Sequence, residues 1–387
     1  MNSRLFLLLT CLLAPALAFP KTSDSIQSSV SIYILGDLSS ERIIAEKRAS
    51  RDFNSASLTK LMTLYVIFDA LEDGTINAQT ELKISRTAAA APGVGMFLNE
   101  GDIVKIEDLI KAMVIYGASD ATLALVEAVA GTKAQFIAAM NQKAKALGLL
   151  NSQFTHVAGE SAEPQLTSAS TLYQLAVAII LNHSSRYSLF KLNQHEWKGI
   201  TQYSSNSLLG RDPYNDGLIV STISSEGTIG IISSVRNGRR ILLVMGDDSS
   251  DGLFASKAQD LINQAFKKFT TIHILDKKIP ISQLGVTHGT SEFLDIGSME
   301  KISVTIPRKK KSELEVTIEG IQPLVAPIKY GDVVAKLSVR LKTDTILTSN
   351  LVALKEIRQA GIMSRGWRRL KSWLLYSIGF KKNDKPF

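Results

Sequence analysis

A single cysteine, Cys11, occurs in 387 residues, so no intramolecular disulfide and no cysteine-rich metal cluster can form. The five histidines, His156, His183, His195, His273 and His288, show no metal-ligand spacing, and His195-Glu196 lacks the second histidine of a zinc-peptidase helix. Neither a G-x-x-x-x-G-K-[ST] loop nor a G-x-G-x-x-G turn is present, which removes the common nucleotide signatures. After the N-terminus no run of about 18 uninterrupted apolar residues appears, so a bundle of membrane spans is excluded. What remains is ordinary globular material, 45% hydrophobic and 21% charged, of a length that suits two or three domains.

The two ends stand apart from the body. Arg4 precedes the apolar run Leu5–Ala14, and Ala16-Leu17-Ala18 supplies small residues at the positions a signal peptidase reads. A signal peptide over 1–18 is expected, and its removal leaves an exported chain without thiols, suited to an oxidising compartment such as a bacterial periplasm. The formal net charge is +8, yet Lys355–Phe387 alone holds nine cations against two anions. The basic character therefore belongs to the tail, which argues against a nucleic-acid-binding body. In that tail Met363, Trp367, Leu370, Trp373, Leu374 and Ile378 recur at steps of three and four, with Arg365, Arg368, Arg369 and Lys371 largely opposite. An amphipathic helix over 361–387, lying in the headgroup plane of an anionic membrane, is expected.

Between the ends two textures follow one another. Ser29–Leu35 is β-rich. Leu58–Leu71, Lys105–Gly117, Asp120–Ala130, Lys133–Leu147 and Thr167–Leu181 have helical spacing. Ile219–Ile223, Thr228–Val235 and Arg240–Met245 read as strands. Asn237-Gly238 between the last two is a strong two-residue hairpin signal. Strand, helical block and hairpins predict an α/β (α+β) domain with an antiparallel sheet over 25–272. From 273 to 357 short strand-like runs, Lys301–Ile306, Glu313–Ile318, Val333–Val339 and Leu347–Ala353, alternate with Pro and Gly, which predicts a small all-β sandwich. The basic run Arg308–Lys311 reads as a solvated loop between strands.

One motif carries chemistry. Ser57-Leu58-Thr59-Lys60 opens the apolar helix Leu61–Leu71, with Asn54 and Ser55 as candidate caps. Residues three apart share a helix face, so the Ser57 hydroxyl and the Lys60 amine can meet. A desolvated lysine can serve as general base to a serine, and the helix N-terminus favours the negative charge that develops there. Ser57 and Lys60 thus form a nucleophile–base pair that needs no histidine and no cofactor.

Asn54-Ser55-Ala56-Ser57-Leu58-Thr59-Lys60-Leu61-Met62-Thr63 resembles the serine D-alanyl-D-alanine carboxypeptidases, the low-molecular-mass penicillin-binding proteins of peptidase family S11. Leu109–Met113 followed by Ser119-Asp120-Ala121, then Asp216-Gly217-Leu218, and Ile306-Pro307, Ala326-Pro327 and Gly331-Asp332-Val333-Val334 extend the likeness in the family's order. The resemblance implies a transpeptidase-like (β-lactamase-like) domain, a β-sandwich and an amphipathic anchor. It implies hydrolysis of terminal D-Ala from peptidoglycan pentapeptide through an acyl-serine, and β-lactams as acylating inhibitors. It implies a periplasmic enzyme attached peripherally to the inner membrane.

Two of the family's three motifs are altered. Gly117-Ala118-Ser119 stands where S-x-N is usual, and Ile219-Val220-Ser221 where K-T-G is usual. Ser207 also replaces the family's arginine before Leu208-Leu209. The hydroxyl that usually assists proton transfer is missing at Gly117, and Ser119 stands where the amide is usual; Ser119 as a catalytic residue, with Ser221 and Thr222 as substrate-binding residues, is expected to form a substitute polar site. A catalytically impaired relative that binds peptidoglycan or wall partners is the alternative.

Overall fold

The computed structural model describes residues 26–54, 59–149, 152–158, 166–223, 227–248 and 252–361. The expected signal peptide, Ser57 and the tail helix beyond Gly361 lie outside the described residues. The chain divides into two compact units that meet in sequence at Phe269 and Thr270.

The first unit is built on a five-stranded antiparallel sheet. Its strands are β1 (Ile32–Asp37), β2 (Arg42–Lys47), β3 (Asn215–Ile223), β4 (Gly227–Arg236) and β5 (Arg239–Asp247). They lie in the order β2-β1-β5-β4-β3, so β3 forms one edge. Val244 stands opposite both Ile34 and Ile231, and the two-residue repeat of each strand sorts its side chains onto two faces. Ile34, Ile231, Leu242 and Val244 face a helical block, whereas Tyr33, Leu35, Ile232, Leu243 and Met245 face a single helix. The β4–β5 turn is made by Asn237 and Gly238, with φ of +52° and +75°, as a two-residue hairpin of this kind requires.

The helical block comprises α1 (Thr59–Glu72), α2 (Ile106–Tyr116), α3 (Ser119–Ala130), α4 (Lys133–Ala146) and α5 (Ala169–Asn182). Helix α1 is buried nearly all round, from Thr59 through Phe68, which makes it the axis of the block rather than a surface helix. Its far end is fastened to α5 by His183, 1% exposed, whose Nδ1 lies 2.9 Å from Glu72 Oε1. On the other sheet face, α6 (Phe254–Lys268) buries Ala258, Leu261, Ile262 and Ala265, a stripe at helical spacing.

The second unit is all-β. Its five-stranded antiparallel sheet uses β6 (Ser282–Gly285), β7 (Phe293–Gly297), β8 (Leu314–Gly320), β9 (Val333–Leu341) and β10 (Asp344–Ala353), ordered β6-β7-β10-β9-β8. Leu294, Ile296, Leu337, Val339 and Leu351 are fully buried in its own core. The basic run is ordered rather than irregular: Arg308–Glu313 forms a 3-10 turn with no buried residue, so its cations are solvated while its backbone is not free.

Candidate active site

Helix α1 carries Lys60 in its first turn. Leu61, Met62, Leu64 and Phe68 anchor the helix with no exposed surface, so the position of the amine is fixed by packing. Lys60 is only 7% exposed. Its Nζ donates to the Gly117 carbonyl at 2.5 Å and to Ser119 Oγ at 3.3 Å. Both partners come from the turn that joins α2 to α3.

That turn has a simple local cause. Gly117 ends α2 at φ +72°, ψ +38°, the left-handed conformation that glycine adopts without strain. The reversal aims the Gly117 carbonyl at Lys60. A Cβ at Gly117 would sit 3.6 Å from Lys60 Nζ, so a side chain there would enter the same space. Helix α3 then begins at Ser119, which is 4% exposed. The Ser119 N–H donates to the Val94 carbonyl at 2.6 Å, which ties the loop before Leu98 to the site.

Asp120 completes this corner and was not singled out from sequence. Its buried carboxylate accepts from the N–H groups of Met96 at 3.0 Å, Leu98 at 3.1 Å and Ala121 at 2.7 Å. A first-turn acid is a visible sequence feature, but the loop it holds has no periodicity that would name it as partner. The carboxylate clamps residues 96–98 beside the Ser119 backbone.

The opposite wall is β3. Val220 N–H points off the sheet edge and donates to Ser205 Oγ at 3.4 Å. The Ser205 N–H in turn donates to the Ile115 carbonyl at 3.2 Å, two residues before Gly117. Ser205 therefore bridges the edge strand to the end of α2, another contact that sequence spacing could not reveal. Because an extended strand repeats every two residues, the Thr222 N–H shares the open edge with that of Val220, while the Ser221 N–H turns toward β4.

The side chains on β3 divide accordingly. Ile219 is 5% exposed and packs in the core shared with the helical block. Ser221, two residues on, lies on the same face and is half-buried. Val220 packs on the α6 side, and the Thr222 hydroxyl is engaged with Thr228 Oγ1 at 3.0 Å across the ladder. The structure thus joins Lys60 and Ser119 directly. It brings Ser221 and Thr222 in on a strand linked to the same corner through Ser205.

Among the described residues, β3 holds no cation in place of the absent lysine. On the neighbouring strands Arg240 is held by Asp216 at 2.9 Å and Ser233 at 2.5 Å, and Arg236 by Asn263 at 2.7 Å and Asp212 at 3.6 Å. Nearby, His195 Nδ1 lies 3.3 Å from Tyr116 Oη. Burial lowers the pKa of His195 below the usual imidazole value and, with the Asp120 carboxylate, raises that of the Tyr116 phenol, so both stay neutral at pH 7.

A helical block set against an antiparallel sheet, with a lysine and a serine hydroxyl meeting between them and an all-β unit following, defines a serine-type peptidase of the penicillin-binding-protein kind. Residues 19–249 match the D-alanyl-D-alanine carboxypeptidase model of peptidase S11, and residues 269–359 match the C-terminal domain of penicillin-binding protein 5. The chain belongs to the D-alanyl-D-alanine carboxypeptidase family, and the enzyme is a hydrolase of that class. It is 30% identical to the D-alanyl-D-alanine carboxypeptidase DacC of Escherichia coli over 92% of this chain and 91% of that one. It superposes on penicillin-binding protein 5 of Haemophilus influenzae with a TM-score of 0.81 at 26% identity, over 88% of this chain and 100% of that one. The ampicillin-bound penicillin-binding protein D2 of Listeria monocytogenes shares the fold at 22% identity and a TM-score of 0.56, over 64% of this chain and all of its own.

Proposed function

We propose that the chain removes the terminal residue of peptidoglycan stem peptides through an ester on Ser57, with Lys60 as general base and Ser119 as proton relay. The observation that carries this is the buried Lys60 amine, one helical turn along the sequence from Ser57, held by a carbonyl and a hydroxyl. A neutral amine has two N–H donors and one lone pair, and the Gly117 carbonyl and Ser119 Oγ suit the two donors. Lys60 takes the Ser57 proton as Oγ attacks the penultimate carbonyl. The C–N bond then breaks, and the leaving nitrogen receives its proton by way of Ser119. Water hydrolyses the ester by the reverse relay. The outward-facing N–H of Thr222 suits the oxyanion that forms in each half-reaction.

The same reading makes β-lactams acylating inhibitors, since their strained amide presents a carbonyl to the same nucleophile. It places the mature chain in the periplasm after loss of 1–18, with the basic amphipathic tail on the inner-membrane surface. Mass spectrometry of intact protein after prolonged exposure to penicillin tests the core of it. Wild type gains one penicillin mass and the Ser57→Ala protein gains none; an adduct on the variant would remove Ser57 from the mechanism.

A further inference from the structure

No lysine or arginine stands on β3 between Asn215 and Ile223. Ile219 is buried in the core, Val220 faces α6, and the Thr222 hydroxyl is taken by Thr228. Arg240 and Arg236 are held by Asp216 and Asp212. His195 is kept neutral, and Lys60 must be neutral to act as a base. The Asp120 carboxylate adds negative charge at the opposite corner. What β3 does offer on the cleft-facing side is the Ser221 hydroxyl, which among the described residues has no hydrogen-bond partner. A free C-terminal carboxylate brought here would shed water and meet no counter-ion on β3 itself, whereas a hydroxyl both donates to and accepts from a neutral amide.

We infer that this enzyme accepts substrates whose end beyond the scissile bond is uncharged, as a carboxamide or as a continuing peptide bond, at least as well as those ending in a free acid. The inference rests on the Ser57–Lys60 reading above and extends it to the leaving group. The chemistry is unchanged: Ser57 Oγ bonds to the penultimate carbonyl carbon, the C–N bond to the neutral-ended residue breaks, and its nitrogen takes the relayed proton. Ser221 is the specificity-determining side chain, and Ile219 sets the apolar floor beneath it.

The test compares three blocked peptides with one sequence, ending in D-Ala-D-Ala as the free acid, as its carboxamide, and extended by one glycine carboxamide. Purified mature protein is assayed for kcat/KM on each, with the penicillin adduct measured in parallel. The expected result is a carboxamide rate equal to or above the free-acid rate. The glycine-extended arm then separates a terminal amide from an internal peptide bond as the natural end. Placing a cation on the wall with Ser221→Lys, at a half-buried position, is expected to shift the free-acid to carboxamide ratio of kcat/KM about 10- to 100-fold toward the free acid, and an unchanged ratio overturns the role given to Ser221. A free-acid preference of tenfold or more in wild type, with the adduct present, overturns this inference alone. No adduct and no turnover of any peptide overturns the nucleophile reading and this inference together.

Discussion

Replacing Ser119 by alanine separates catalysis from folding at this site. The hydroxyl contributes one hydrogen bond, to Lys60 Nζ at 3.3 Å, inside a corner where Ser119 is 4% exposed. A neutral side-chain bond of this kind contributes about 1 kcal/mol to stability. For a unit of this size that corresponds to a fall of about 2–4 °C in melting temperature. The backbone bond from Ser119 N–H to Val94 is untouched, so the turn keeps its shape. If the hydroxyl carries the proton between Lys60 and the leaving nitrogen, its removal lowers the acylation rate by about 10²–10⁴. Lys60→Met abolishes acylation altogether, and the double variant is no worse than Lys60→Met, because the two groups act in one relay. Acylation is followed by stopped-flow fluorescence with a reporter penicillin, and melting by circular dichroism. Ser119→Ala acylating within threefold of wild type would refute the relay, whatever its melting temperature.

Further outcomes follow from the same geometry. Asp120→Ala strips the acceptor from the Met96 and Leu98 N–H groups, which at about 1.5–3 kcal/mol for each bond to a charge lowers stability by about 3–6 kcal/mol, measurable by urea unfolding. Burial holds the pKa of His195 below the ordinary imidazole value of 6.5, so its contribution to stability is present above about pH 6.5 and is lost as pH falls through and below that value. His195→Gln is therefore expected to show a shallower fall in melting temperature between pH 7 and pH 5 than wild type. Gly117→Ser forces a side chain into a backbone with φ +72°, costing about 1–2 kcal/mol, and gains less than threefold in acylation because Ser119 already supplies a hydroxyl. Truncation after Gly361 is expected to move the protein from the membrane pellet to the supernatant on fractionation, with the acylation rate unchanged.

Much of this architecture was readable from local pattern. The helical spacing of α2 and α4, the Asn237-Gly238 turn and the strand-like runs of the second unit each depend on residues close together in the chain, whereas α6, whose buried stripe also has helical spacing, was missed. The S-x-x-K pair was visible for the same reason, since only three positions of sequence separate its members. Long-range contacts were hidden. Asp120 meets the loop at Met96 more than twenty residues away, and Ser205 joins Ile115 to Val220. A carbonyl carries no sequence signature, so the acceptor role of Gly117 needed the backbone. The Arg308–Lys311 run shows the converse limit: its charge was legible, but its 3-10 geometry rests on a turn that composition does not encode.

The two altered motifs have unequal consequences, and their geometry says why. At the first, the residue that ends α2 must be left-handed to reverse the chain, and glycine meets that demand. The hydroxyl displaced from that position reappears two residues later, where the start of α3 and the Val94 carbonyl hold Ser119 against the same amine. Proton transfer needs a hydroxyl within reach of Lys60, so under the proposed relay Ser119 is expected to compensate this change in place. At the second, a buried isoleucine closes the position, and Arg240 and Arg236 on the neighbouring strands are already bound to Asp216 and Asp212. An anion-binding site needs an uncommitted charge, and a hydroxyl on Ser221 cannot supply one. On the proposed reading, the machinery for breaking an amide is retained while β3 lacks the device for selecting a carboxylate, so the pair of substitutions is expected to alter selectivity rather than remove the chemistry.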